Sequence, residues 1–340
     1  MLRSTNAPLE SAHTDCVELE AGSRLHFGLL SFGQPGVRPF GGVGVMVDRP
    51  SLRLRIEPAQ RFEPVGPAAA RVTEFVERLR TAWDLPQLPA CRLEVVEAPP
   101  AHIGFGTGTQ LALAVAAALG RWLGREKPAA DILASWVGRG ERSAIGSWGF
   151  QLGGLLVEGG HDPAQAPGRS VVSPLLRRLS LPDAWRWVLV TPHATQGLSG
   201  APERTAFARL PAVPTAVTER LCDELWYELL PAAEAGEFDR FSGSLYRYGH
   251  AAGICFAAIQ GGPFANAEVA TLVEQVRSLG VSGVGQSSWG PTMFALAPNE
   301  IASQELAAEI GRLPMGASAH IQIAPTRNRG ALLSSPSPGR

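Results

Sequence analysis

The chain has 340 residues, 30 Lys plus Arg against 31 Asp plus Glu, and a formal net charge of −1. That length is more than one hydrophobic core usually serves and implies two domains, while 45% hydrophobic and 18% charged residues exclude a disordered chain. Without excess charge or a basic stripe there is no surface for nucleic acid or anionic lipid, and no apolar run reaches the roughly 20 residues that cross a bilayer.

Residues 1–15, "MLRSTNAPLESAHTD", are polar and carry no apolar run of signal-peptide length, so a disordered N-terminus and a cytoplasmic protein are expected. Cys16, Cys91, Cys222 and Cys255 lie far apart without metal or redox spacing and read as reduced thiols. "CVELEAGSRLHFGLLSFG" alternates like two strands with a turn near Gly22, and "VGVMVDRPSLRLRIEP" reads as strand, turn, strand. Ala69–Trp83 is expected to be a helix with Val72, Phe75, Val76 and Leu79 on one face. "CRLEVVEAP" is a strand that runs into a Gly-rich loop and a helix over Gln110–Trp122.

A polar helix over Ala129–Gly138 comes next, then a second Gly-rich stretch, "GRGERSAIGSWGFQLGGLLVEGG", and a surface excursion, "HDPAQAPGRSVVSP". "WRWVLVTP" is a buried strand by its apolar run. Thr215–Leu230, Phe238–Ile259, Ala267–Leu279 and Ile301–Leu313 read as helices; "VGQSSWGPTMFALA" is a third Gly-rich turn entering a strand, and "AHIQIAP" is the last strand. Strands first, then helices and strands mixed, make an α+β protein. The domains are placed at 16–170 and 171–327, with a Pro/Ser-rich disordered tail over 328–340.

The loop "PPAHIGFGTGTQ" has the chemistry of an anion cradle. Prolines at 99 and 100 end the strand. Gly104, Gly106 and Gly108 clear side chains from the backbone, Thr107 and Thr109 add hydroxyls, and the helix opening at Gln110 presents its N-terminal N–H groups. A Walker A loop needs Gly-Lys-Ser/Thr, and this loop has no lysine; a dinucleotide fingerprint needs a third glycine and an acidic residue on a following strand, and neither is present. A plain tight strand-to-helix turn is the alternative.

"PPAHIGFGTGTQLALAVAAAL" resembles the second motif of the GHMP kinase superfamily, with "SRLHFGLLSFG" and "GVGQSSWGPTMFAL" resembling the first and third. Five segments in order, "RLHFGLL", "RPFGGVGVMVDRP", "HIGFGTGTQLALA", "GERSAIGSWGFQLGGLLVEGG" and "GQSSWGPTMFAL", resemble the β-ribofuranosylaminobenzene 5′-phosphate synthase family over residues 17–325. The resemblance implies a two-domain GHMP-kinase-like fold, with a left-handed βαβ crossover in the N-terminal domain and a ferredoxin-like C-terminal domain. It implies condensation of 5-phosphoribosyl 1-diphosphate with 4-aminobenzoate or 4-hydroxybenzoate, releasing CO₂ and diphosphate, as the first step of methanopterin-type coenzyme synthesis. ATP is not required, Mg²⁺ is expected on the diphosphate with its protein ligands unknown, and the usual assembly is a homodimer. Where several kinases of the superfamily carry an Asp base, "RSAIGSWGF" places Gly146.

The motifs supply the candidates. Arg24, His26, Arg142 and Ser288 are the catalytic candidates, Arg24 and His26 sharing one strand face at i, i+2. His102, Gly104, Gly106, Thr107, Gly108, Thr109 and Gln110 are expected on phosphate, and Arg38, Ser143, Gln286, Ser287 and Trp289 on other parts of the substrates. Each has a structural alternative: a satisfied histidine for His26, a surface role for Arg38, a helix-end charge for Arg139 or Arg142, a turn cap for Ser143 and core packing for Trp289. Glu203, Arg204 and His193 are weaker candidates. Two other functions fit the motifs: an ATP-dependent small-molecule kinase, which Gly146 argues against, and a binding protein that keeps the cradle without the chemistry.

Overall fold

The computed structural model describes residues 16–162, 172–192 and 200–335. β1 (Val17–Leu29) and β2 (Gly42–Pro58) pair antiparallel as long strands. The turns expected at Gly22 and within "DRPS" do not form. The register passes from Ala21↔Leu52 to Ser23↔Val47, so Gly22 and residues 48–51 lie opposite one another as matched irregularities, and the ladder resumes beyond them. A side chain at Gly22 would strike the Val47 carbonyl, which explains the glycine there.

β3 (Glu63–Val65), α1 (Ala69–Ala82) and β4 (Cys91–Glu97) form a crossover in which β3 and β4 pair parallel, and the order runs β1–β2–β4–β3. α2 (Thr107–Trp122), α3 (Ala130–Trp136) and α4 (Ile145–Leu152) complete the helical layer. α2 is buried along nearly its whole length, and its Ala and Leu residues pack in one core with Val72, Phe75, Val76 and Leu79 of α1. β5 (Leu155–Glu158) pairs with β2, and β6 (Leu175–Leu179) pairs with β5. The expected division after residue 170 would separate β6 from its partner, so the boundary falls beyond β6.

The second domain starts with β7 (Arg186–Pro192). Its helices are α5 (Gly200–Arg209), then α6 (Thr215–Asp223), continued through a π-helical stretch (Glu224–Leu229) into α7 (Leu230–Ala235), then α8 (Phe238–Ile254), α9 (Ala257–Gln260) and α10 (Ala267–Ser278). β8 (Val284–Gln286), β9 (Met293–Ala297), α11 (Glu300–Arg312) and β10 (Ala319–Pro325) follow. The antiparallel order β10–β7–β9–β8 is the fourth, first, third and second strand of this domain, the ferredoxin-like arrangement.

The chain then returns to the first sheet, contrary to the expectation of a loose tail from 328. Arg327 is buried, with Nη1 2.8 Å from both Glu20 and Asp48 carboxylates, and β11 (Leu332–Ser334) adds to β1. A second core crosses between the domains: Phe27 of β1 packs against Trp187 of β7 and Phe294 of β9, with ring centroids 5.8 and 5.3 Å away. The domains therefore meet over a dry, aromatic contact beside the cleft that carries the expected site.

Candidate active site

Beyond β4 the backbone turns sharply: His102, Gly104 and Gly106 have φ of 65°, 107° and 66°, in the left-handed region that only glycine enters freely. Gly106 caps α2, which begins at Thr107, three residues earlier than expected. Thr107–Thr109 therefore form the first helical turn, and the Thr107 hydroxyl donates to the Pro100 carbonyl at 3.1 Å, bracing the loop.

The glycines are held close by their neighbours. An ideal Cβ at Gly104 would lie 2.8 Å from the Ser287 carbonyl oxygen, at Gly106 3.1 Å from Arg24 Nε, and at Gly108 3.0 Å from Arg71 Nη2 and 3.6 Å from Arg139 Nη2. The loop thus runs from the third Gly-rich turn, past Arg24, to a pair of arginines. It opens on a cleft of about 640 Å³ between the domains. Arg24, His26, His102, Gly104, Gly106, Thr107, Gly108, Thr109, Arg142, Ser143, Gln286, Ser288 and Trp289 all line it.

His26 is buried on β1 with its backbone fixed by the third turn: its N–H donates to Ser287 Oγ at 3.1 Å, and its carbonyl accepts from the Ser288 N–H at 3.0 Å. Burial, and secondarily the charge of Arg24, hold the imidazole pKa well below the ordinary value, so the ring is neutral. Nε2 has no hydrogen-bond partner among the described residues, which leaves a buried polar nitrogen for a ligand to satisfy.

Behind this wall stands Glu158, at the end of β5 and opposite Gly42. It is fully buried and accepts from the Ala144 N–H at 2.6 Å. Burial pushes its carboxyl up to about 7, against the opposing pull of hydrogen bonds from Ser143, Ala144 and Ser173 and of the Arg24 charge. Ser143 lines the cleft, and its hydroxyl accepts from the Ile145 N–H at 3.3 Å.

One side of the cleft is charged. Arg71, Glu74 and Arg78 follow one another at helical spacing along α1, and Arg139 and Glu141 face them from the loop after α3. The guanidinium groups of Arg71 and Arg139 stand 5.7 and 5.6 Å from the Phe75 ring. Elsewhere the wall is aromatic: Phe207 of α5, Phe256 after α8 and Trp289 of the third turn have ring centroids 5.2 to 5.6 Å apart. The Arg142 guanidinium lies 4.8 Å from the Phe207 centroid. Trp289 is packed in this aromatic cluster and also lines the cleft.

Three expected contact residues stand elsewhere. Gln110 is buried and donates to the Gly146 carbonyl at 2.9 Å, tying α2 to α4. Ser287 is buried, donating to the Gly104 carbonyl at 2.6 Å while accepting from His26. Arg38 lies off the cleft, with Nε 3.4 Å from the Gly160 carbonyl oxygen. Their polarity is used on backbone groups rather than on a ligand. His193 and the side chains of Glu203 and Arg204 lie outside the described residues. Residues not foreseen are Arg71, Glu74, Arg78, Phe207, Phe256 and Glu158.

Gly146 opens α4 against the first turn of α2. An ideal Cβ there would lie 3.2 Å from the Thr109 methyl and 3.5 Å from Gln110 Nε2. The space beside Gly146 is taken up by Thr109 and Gln110. Among the described residues no group of three or more His, Cys, Asp or Glu side chains is arranged to hold a metal.

Comparison with known proteins agrees with this geometry. Residues 70–150 match the GHMP kinase N-terminal domain and residues 230–313 the GHMP kinase C-terminal domain. The chain is similar to the β-ribofuranosylphenol 5′-phosphate synthase of Archaeoglobus fulgidus, at 28% identity over 92% of this chain and 98% of that one. The protein of the same name from Methanothermobacter thermautotrophicus is 28% identical over 92% and 96%. Among solved structures, the homoserine kinase of Cytophaga hutchinsonii superposes with a TM-score of 0.64 at 14% identity, over 97% of this chain and all of that one, which establishes the shared fold.

Proposed function

From a chain that carries both GHMP kinase domains and resembles the β-ribofuranosylphenol 5′-phosphate synthases along its length, we propose that it is a decarboxylating phosphoribosyltransferase. It joins 5-phosphoribosyl 1-diphosphate to 4-hydroxybenzoate or 4-aminobenzoate, as the first step toward a methanopterin-type coenzyme. The relatives' name contains a phenol riboside, the product that 4-hydroxybenzoate would give.

The observation that carries this reading is the union of an arginine wall and an aromatic wall in one cleft. A kinase needs the first; an aromatic acceptor needs both. The C1–O bond to diphosphate breaks and the diphosphate leaves with the electron pair. The ring carbon bearing the carboxylate bonds to C1. The ring–carboxylate bond then returns its pair to the ring as CO₂ departs. No proton is gained or lost, so the absence of a carboxylate at 146 costs the reaction nothing.

In this scheme Arg24 and the glycine loop stabilise the departing charge. The neutral imidazole of His26 offers a hydrogen bond to the donor without adding positive charge beside an oxocarbenium-like centre. Phe207, Phe256 and Trp289 give the acceptor ring one aromatic wall to lie against, and Arg142 meets its carboxylate. Mg²⁺ travels with the diphosphate as part of the donor. The enzyme works as a homodimer in the cytoplasm.

Incubation with phosphoribosyl diphosphate, Mg²⁺ and carboxyl-labelled 4-hydroxybenzoate or 4-aminobenzoate is expected to release labelled CO₂ without ATP. ATP consumption with no labelled CO₂ would instead make the protein a kinase.

A further inference from the structure

Arg71 and Arg78 stand on α1, outside every glycine-rich motif, and Arg139 meets them from the loop after α3. Like charges do not gather without cause. The three lie in one wall, with Arg139 disfavoured as a cation first by burial and then by Arg71 and Arg78, and supported only by Glu141. Their close partners are weak ones. Arg71 and Arg139 face the Phe75 ring, and Arg78 Nη1 reaches the Val137 carbonyl at 3.4 Å. Arg139 Nε is buried and has no hydrogen-bond partner among the described residues. Such a wall is completed by an anion with several acceptor oxygens.

The donor offers two anions, a diphosphate on C1 and a phosphate monoester on C5, and the loop gives them two ends. At Gly104 it touches the Ser287–Gly290 turn; at Gly108 it touches Arg71 and Arg139. Of the two ends, the Gly108 end joins Arg71 and Arg139 to the N-terminus of a sixteen-residue helix, and Arg78 stands further along the same wall beside Gly138. The diphosphate has the higher charge and more acceptor oxygens, and it is the group on which charge develops.

We propose that Arg71, Arg78 and Arg139, with the Gly106–Gly108 backbone, form the subsite for the diphosphate leaving group, leaving the 5′-phosphate to the Gly104 end beside His102 and Ser288. The proposal rests on the phosphoribosyltransferase reading for the identity of the ligand. It predicts that free diphosphate, the released product, occupies this subsite and competes with the donor.

Calorimetric titration of the full chain with pyrophosphate and, separately, with ribose 5-phosphate tests it without turnover, each with and without Mg²⁺. Wild type is expected to bind both. In Arg71→Gln and Arg139→Gln the pyrophosphate Kd rises about tenfold or more, while the ribose 5-phosphate Kd stays within about twofold. Arg71→Lys and Arg139→Lys, which keep the charge and lose the fork, give an intermediate loss and stand in for any glutamine variant that fails to fold. No pyrophosphate binding by wild type, or unchanged binding in the variants, would overturn the subsite, and selective loss of ribose 5-phosphate would reverse the assignment of the two ends. ADP binding more tightly than pyrophosphate, with the same dependence on Arg71, would make it a nucleotide site instead. Failure of labelled CO₂ release alongside intact, arginine-dependent pyrophosphate binding would reject the reaction and keep the subsite.

Discussion

The two ends of the cleft are built on opposite physical terms. At the Gly108 end, α1, α2 and the loop after α3, all from the first domain, gather Arg71, Arg78 and Arg139 around backbone N–H groups. At the Trp289 end, the second domain contributes Phe207, Phe256 and Trp289, and a single arginine, Arg142, lies on the ring of Phe207. The first surface is costly to assemble and strong once an anion is bound; the second is stable in itself and selects by shape. The first domain thus supplies the charged end of the cleft and the second the aromatic end.

Substitutions can break this contrast. The largest effect is expected for Arg24→Ala, beside Gly106: removing a charge-assisted contact to the departing group costs about 3 kcal/mol, or about a hundredfold in kcat/KM for the donor. The buried carboxyl of Glu158 gives the next effect, on stability. Glu158 ordinarily titrates near 4.5 and in the fold near 7. Between those values the folded protein keeps a proton that the unfolded chain has released. Stability therefore falls as pH rises from about 4.5 to about 7 and levels off above, by roughly 3 kcal/mol in all. Glu158→Gln removes this slope, and thermal unfolding at pH 5 and pH 8 measures it; an equal slope in the variant would place the cause elsewhere. At the aromatic end Phe207→Leu is expected to raise the acceptor KM about tenfold and leave the donor KM within about twofold. Arg38→Ala, off the cleft, is expected to change either KM by less than about twofold. A donor-specific loss on Phe207→Leu would dissolve the distinction between the two ends.

Much of the loop end was legible in the sequence because its chemistry is local. Gly104, Gly106 and Gly108 lie within five residues and before an Ala-rich helix, and Arg24 and His26 share a strand face. The rest was hidden for physical reasons. Arg71 and Arg78 on an amphipathic helix look the same whether their face meets water or an anion. Phe207 comes from α5 and Phe256 from the turn between α8 and α9, far along the chain from Trp289. Glu158 ends a short strand, and only burial makes it unusual. Gln110 and Ser287 are polar residues beside the cradle and so resemble ligand contacts in the sequence, but their side chains close backbone hydrogen bonds. Gly22 and "DRPS" resemble turns because the residues that make a hairpin also make a bulge.

The return of the chain to its first sheet bears on any attempt to study the halves apart. A fragment ending near residue 170 would lack β6, β11 and Arg327 together. Glu20 and Asp48 would lose the guanidinium that faces both of them, and β1 and β5 would each be left with a bare hydrogen-bonding edge, open to pairing with another copy. The complementary fragment would expose Trp187 and Phe294, which Phe27 now covers. Neither piece is a self-sufficient folding unit, and the smallest active form is expected to extend through Ser334.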